Sequence, residues 1–223
     1  MDTHARHLDV ELNELQGKLV RMATVAERMI DQAIGELQTR NAEQVSPIAA
    51  EEQELNRLQL EIDELALALL ATRQPVAADL RTIMAATRIN SELERIGDLV
   101  INITECAATI VQQPPLKPLI DIPRMAELAR GMVRRSVEAF LAGDVALAQS
   151  VLAGDDEVDA LKDQVFRELL TYMMADPRTT ERAMALILIA RHLERIADHA
   201  TNIAQDVIYM VQGRDVRHPK LPR

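Results

Sequence analysis

Leu93-Glu94-Arg95-Ile96-Gly97-Asp98 returns at an offset of 100 residues as Leu193-Glu194-Arg195-Ile196-Ala197-Asp198. The match extends outward on both sides. Asn102-Ile103 falls on Asn202-Ile203, Met84-Ala85 on Met184-Ala185, and Ile89 on Ile189. Farther upstream the offset becomes 103: Glu54-Leu55-Asn56 falls on Glu157-Val158-Asp159, and Met29, Ile34 and Leu37 on Met132, Val137 and Phe140. The slip fits a longer loop around Pro75 than around Pro177. Self-similarity over such a span marks a duplicated supersecondary unit. The chain reads as two copies in tandem.

The unit itself is helical. Leu8, Leu12, Leu15, Leu19, Met22, Ala26, Met29 and Ala33 alternate spacings of four and three, the seam of a long helix packed at a shallow angle. That helix is predicted over 3–39. A second follows to Arg73 with Leu55, Leu58, Ile62, Leu65 and Leu69 as its seam, Asn41 or Ser46 as N-cap and Pro47 in its first turn. Gln74-Pro75 breaks it, and a third is predicted over 77–111. Gln113-Pro114-Pro115-Leu116-Lys117-Pro118 removes backbone donors and fixes φ, so no helix crosses it. Three more helices are predicted over 122–141, 144–175 and 179–212, with Gly143 and Gly213 as C-caps and Asp176-Pro177 as a turn. The expected architecture is all-α: a tandem pair of three-helix bundles, six long helices in all, related by an internal pseudo-two-fold duplication. Its divisions are a first unit (1–112), a proline-rich linker (113–121), a second unit (122–213) and a polar tail (214–223).

Composition agrees with a bundle. Hydrophobic residues make up 48% of the 223 positions but aromatics only 2%, so the core is aliphatic, and its methionines at helical spacing belong mostly to it. Seven glycines and nine prolines are too few for a turn-rich β fold. A net charge of −10 excludes nucleic acid and anionic lipid as direct partners. Cys106 is the single cysteine, so no internal disulfide forms, as befits a reducing compartment. The first residues lack the apolar core of a signal peptide, and the apolar run 183–190 stops at Arg191, short of a bilayer span. The expectation is a soluble cytoplasmic protein without membrane insertion.

The repeated motif has a chemistry of its own. At about 100° per residue, Glu94, Asp98, Asn102 and Glu105 share one face of their helix while Leu93, Ile96, Val100 and Ile103 occupy the other. Glu194, Asp198, Asn202 and Gln205 repeat the arrangement. Carboxylates four residues apart repel, and a cation between them relieves the repulsion, so such pairs suit an oxygen-ligand metal site. Spacing alone decides nothing, because the five acidic pairs of this kind are about what 35 acidic residues give by chance. Placement is more informative. Two pairs stand at equivalent points of the duplication, and a third, Asp155/Asp159, lies on the antiparallel fifth helix with Glu52/Asn56 as its first-half counterpart. Glu-x-x-His pairs of a di-iron bundle, nucleophile-histidine spacings and glycine-rich phosphate loops are all missing, so no catalytic residue is assigned.

These residues resemble the PhoU family of accessory and regulatory proteins of bacterial phosphate transport. The most specific parts are Asp79-Leu80-Arg81, the first motif at 93–98, and Leu193-Glu194-Arg195-Ile196-Ala197-Asp198-His199-Ala200 continuing to Asn202-Ile203-Ala204. The resemblance spans nearly the whole chain and implies two three-helix bundles. It implies multinuclear iron or zinc, or another divalent cation, on Glu94/Asp98 with Glu52, and on Asp155/Asp159 with Glu194/Asp198. Asn56, Asn102 and Asn202 are accessory candidates, and the all-carboxylate second half is the stronger ligand set. It further implies no enzyme but a negative regulator of phosphate uptake and of the phosphate-starvation two-component response. Such a protein binds the ATPase subunit of the phosphate transporter and a membrane sensor histidine kinase, peripheral to the inner face of the membrane. The heptad edges favour a homodimer. Two other readings stay open: a metal-buffering protein without a signalling role, and a plain helical scaffold with solvated acidic faces.

Overall fold

The seam of the first helix becomes one wall of a bundle in the computed structural model, which describes residues 3–40 and 45–217. Six α-helices follow in order: α1 (Thr3–Thr39), α2 (Val45–Arg73), α3 (Ala77–Val111), α4 (Asp121–Ala142), α5 (Val145–Ala175) and α6 (Thr180–Gln212). A 3-10 turn, Pro177–Thr179, precedes α6, and no strand occurs among the described residues. The all-α reading and the six helices hold.

Each helix ends for a legible reason. Gly143 and Gly213 adopt left-handed φ of 61° and 64°, and the Gly213 N–H closes α6 on the Tyr209 carbonyl at 2.8 Å. Asp144 caps α5 by accepting the Leu147 N–H at 3.0 Å. After α2, Gln74 takes the left-handed conformation at φ 46° just before Pro75. The start of α2 differs from expectation. The helix is already formed at Val45, so Ser46 lies inside it, and Asn41 lies outside the described residues. Of the tail, residues 218–223 lie outside them too.

Within each copy the three helices pack on one another, and the copies meet through α3 against α6 and α1 against α4. The α3/α6 pair is antiparallel: Arg81 Nε donates to the Met210 carbonyl at 2.9 Å, and Arg88, farther along α3, meets Asp206, farther back along α6. One continuous aliphatic core runs through both halves, from Leu15 and Leu19 to Val207 and Ile208. α2 and α5 pack only within their own halves and form the outer flanks. The seam of α1 from Leu15 to Ala33 is wholly buried inside the molecule. The methionines divide: Met22, Met29, Met125 and Met132 are core, whereas Met84, Met174 and Met184 are exposed.

The proline-rich connection is strapped to the bundle. Arg40 donates to the carbonyls of Ile110 (3.0 Å), Val111 (2.7 Å) and Gln113, capping α3 from the end of α1. Arg182 holds the Pro114 carbonyl at 2.8 Å, and Leu116 and Leu119 pack on the core. No helix among the described residues is long and apolar enough to cross a membrane.

Candidate functional site

The second-half carboxylates come together across the outer seam of α5 and α6. Asp155 and Asp159 lie one turn apart on α5, Glu194 and Asp198 one turn apart on α6, and the two helices run antiparallel. Between them the Lys162 ammonium reaches Asp159 at 2.8 Å and Glu194 at 3.0 Å. Hydrogen bonding to Asp159 and then to Glu194 raises its pKa, so it stays a cation. Burial, then the charges of Asp198, Asp159, Asp156 and Glu194, push the Asp155 carboxyl up to about 6. Burial, then the charges of Glu194 and Asp159, raise Asp198, and His199 and Lys162 partly offset them. The four residues are thus one electrostatic unit, with a single lysine as the counter-charge inside it.

Sequence reasoning missed Lys162. Its signal was available: it sits three residues after Asp159 on the same stripe, where an acidic pair needs a cation. Among the described residues no three carboxylate, imidazole or thiolate side chains converge closely enough to ligate one ion.

The first half differs. Burial and then Asp98 raise the Glu94 carboxyl, and Arg95 partly offsets them. On α2, Glu52 is half-buried and Asn56 exposed. α2 and α3 are joined one turn away, where Asn90 Nδ2 donates to the Gln59 carbonyl at 3.0 Å and to Asp63 at 2.9 Å. Asn102 is exposed. Asn202 turns the other way, donating to Glu92 on α3 at 3.2 Å.

That last bond belongs to a polar cluster between the halves. His199 Nδ1 donates to Glu92 at 2.6 Å, and Arg88 meets the buried Asp206 at 2.9 Å while lying 5.5 Å over the Tyr209 ring. Burial alone would push Glu92 up, but the bonds from His199 and Asn202 hold it below the usual carboxylate range. Burial raises Asp206, which Arg88 partly offsets. The first copy carries Leu99 and Cys106 where the second carries His199 and Asp206. Cys106 is half-buried against the core, and burial pushes its thiol up, away from reactivity.

With this geometry in place, three comparisons bear on it. The family model of the PhoU domain matches the chain twice, over residues 19–107 and 122–207. A protein of Aquifex aeolicus named phosphate-specific transport system accessory protein PhoU homolog is 41% identical over 208 residues, 93% of this chain and 94% of its own. The crystal structure of PhoU from Pseudomonas aeruginosa superposes with a TM-score of 0.88 at 33% identity, over 92% of this chain and 99% of that one. A phosphate transport system regulatory protein from Streptococcus pneumoniae shares the fold, with a TM-score of 0.86 at 24% identity over 94% and 99%.

Proposed function

The chain belongs to the PhoU family, and from that premise we propose that it is a binding adaptor that restrains phosphate uptake and the phosphate-starvation response. Its partners in this reading are the ATPase subunit of the phosphate transporter and the membrane sensor histidine kinase, which place it at the inner face of the membrane. The observation that carries the reading is the match of the same domain to both halves of the chain, with relatives named as accessory and regulatory proteins. No chemical step is required: regulation follows from which partner is bound. A homodimer belongs to the same reading. With the α1 seam spent in the core, it would use other surface, such as the exposed Val10 and Val20.

Biolayer interferometry of the purified chain against the ATPase subunit and the kinase's cytoplasmic region tests this. Micromolar or tighter binding to both is expected; no association with either at about 50 μM would sink the adaptor reading.

The acidic seam is proposed to take a divalent cation. Four carboxylates suit a hard, oxygen-seeking ion in charge, and burial with their mutual repulsion pushes Asp155 up to about 6; as they stand no three of them converge on one point, so binding requires their side chains to turn inward. Asp155, Asp159, Glu194 and Asp198 would hold it, with Lys162 displaced; Glu94 and Asp98, with Glu52, form the weaker first-half counterpart. Iron, zinc or another divalent cation would supply positive charge to an acidic face. Elemental analysis of protein purified without chelator reads this directly, and a metal-free preparation with no uptake on dialysis would refute it.

A further inference from the structure

The α5/α6 seam does not end at its acidic residues. At about 100° per residue, Asp155, Asp159, Lys162, Phe166 and Leu170 fall on one face of α5, and Asp198, Glu194, Arg191, Ile187 and Met184 on one face of α6. The seam is therefore polarised along its length, acidic toward Asp155 and Asp198 and apolar toward the α5–α6 turn. At the junction of the two parts lies an open groove of about 370 Å³, lined by Phe166, Ile187 and Ala190 together with the charged Lys162, Asp163, Arg191 and Glu194. Within it Phe166 is 49% exposed, and toward the turn Leu170 and Met184 are exposed on the same two faces. Single exposed apolar side chains need no explanation, but three along one seam, Phe166, Leu170 and Met184, do.

The duplication supplies an internal control. Leu67 and Met84, the first-half equivalents of Leu170 and Met184, are exposed as well. Apolar exposure at these positions is thus carried in both copies. The grooves themselves differ at most of their lining: Gln59, Leu60, Asp63, Thr87, Asn90 and Ser91 stand where the second copy has Lys162, Asp163, Phe166, Ile187, Ala190 and Arg191, and Glu94 alone matches Glu194. Asn90 bridges α3 to α2 through Gln59 and Asp63 and closes the first-half seam there. Its counterpart in α6 is Ala190, whose methyl group bridges nothing and leaves the second seam open.

We propose that the α5/α6 groove, when no cation occupies its acidic end, is the docking site for an amphipathic helix of a partner protein, apolar where it meets Phe166, Leu170 and Met184 and basic where it meets Asp155, Asp159 and Asp198. Charge complementarity selects this occupant. A second copy of the chain, itself at −10, would bring like charge to the acidic end. An apolar stripe at i, i+4 and i+7 is the form in which a helix fills such a groove, and flexible methionines accept varied partners. The proposal rests on the adaptor reading only in supposing a protein partner.

The test uses the full chain and a fluorescein-labelled helical peptide of about 18 residues, with leucines at i, i+4 and i+7 in one half and lysines in the other. Fluorescence anisotropy should give a Kd of about 1–50 μM. Phe166→Glu/Met184→Glu, or the milder Phe166→Ser/Met184→Ser, should weaken binding at least about tenfold, whereas Leu67→Glu/Met84→Glu should change it less than about twofold. A peptide with glutamates for lysines should not bind. Equal losses in both halves, unchanged binding in the second-half variants, or tight binding of the glutamate peptide would each overturn the proposal. So would a dimer in sedimentation that Phe166→Glu/Met184→Glu dissociates. Transporter ATPase and kinase are assayed beside the peptide. If they bind parent and groove variants alike, the groove falls and the adaptor reading stands. If the peptide behaves as expected and neither protein binds, the adaptor reading falls and the groove stands.

Discussion

Gly97 lies so close to Leu55 that a Cβ built on the glycine would stand 3.1 Å from Leu55 Cδ2 and 3.2 Å from Cδ1. This contact brings α3 against α2 at the centre of the first motif. The second copy carries the opposite sizes, Ala197 and Val158, at the equivalent positions. One methyl has moved from one helix to the other.

Gly97→Ala should therefore lower stability slightly, by under about 1 kcal/mol, because crowding at Leu55 outweighs the gain in helix propensity. Leu55→Val should cost about 1 kcal/mol as a cavity. Together they recreate the second-half pair, and urea denaturation should show the double variant better than the sum by about 1 kcal/mol. Strict additivity would mean that the two side chains are not coupled.

Asp155 makes the acidic seam pH-sensitive. Its carboxyl titrates near 6 when folded, against about 4 in an unfolded chain. A raised folded value favours the folded state below about pH 4, and that advantage is lost as pH rises to 6. Asp155→Asn should then leave stability unchanged near pH 4 and raise it at pH 8. About 1 kcal/mol is expected once solvent screening at this half-buried site is allowed for. Thermal melts across that range read the effect, and a variant equally stabilised at both ends would contradict it.

Lys162 is the counter-charge of the seam, so Lys162→Met should leave four carboxylates facing one another. The melting temperature at pH 7 should drop by a few degrees and recover on acidification through about pH 5. Millimolar divalent cation should restore the variant more than it stabilises the parent chain. Indifference to added cation would count against the seam as a cation site.

Glu36 is fully buried in α1, and neither carboxylate oxygen has a hydrogen-bond partner. Burial pushes its carboxyl up. Its stabilising share is present below about pH 4 and lost as pH rises through the raised value. Glu36→Met should stabilise the chain at neutral pH by about 1–2 kcal/mol, with the gain shrinking toward pH 4. Chemical denaturation at the two pH values decides it; destabilisation at pH 8 would point to a role for the charge.

Helices and halves were legible because their signals are local. A heptad seam, a glycine at a C-cap and a proline after a turn each act within a few residues. The second-half seam was legible for the same reason, since Asp155/Asp159 and Glu194/Asp198 repeat at helical spacing. What pairs across helices was not. Lys162 between Asp159 and Glu194, Asn90 on Asp63 and Glu92 on His199 depend on rotation and stagger of packed helices, which periodicity does not set. His199 follows Asp198 directly in the motif, yet its ring turns to the opposite half. The exposure of Met174 and Met184 escaped for a related reason: a methionine on a helix reads as core until the neighbouring helix is placed.

The cluster between α3 and α6 also bears on the history of the duplication. A symmetric dimer of identical halves would set Arg88 against Cys106 and Glu92 against Leu99, stranding two charges in an interface. Two second halves would face Asp206 with Leu188 and His199 with His192. Only the unlike pairing satisfies Arg88, Asp206, Glu92 and His199 together. Whatever self-association the ancestral unit had, its descendants are now lock and key to each other. Separately expressed halves should seek their complement and shun their own kind.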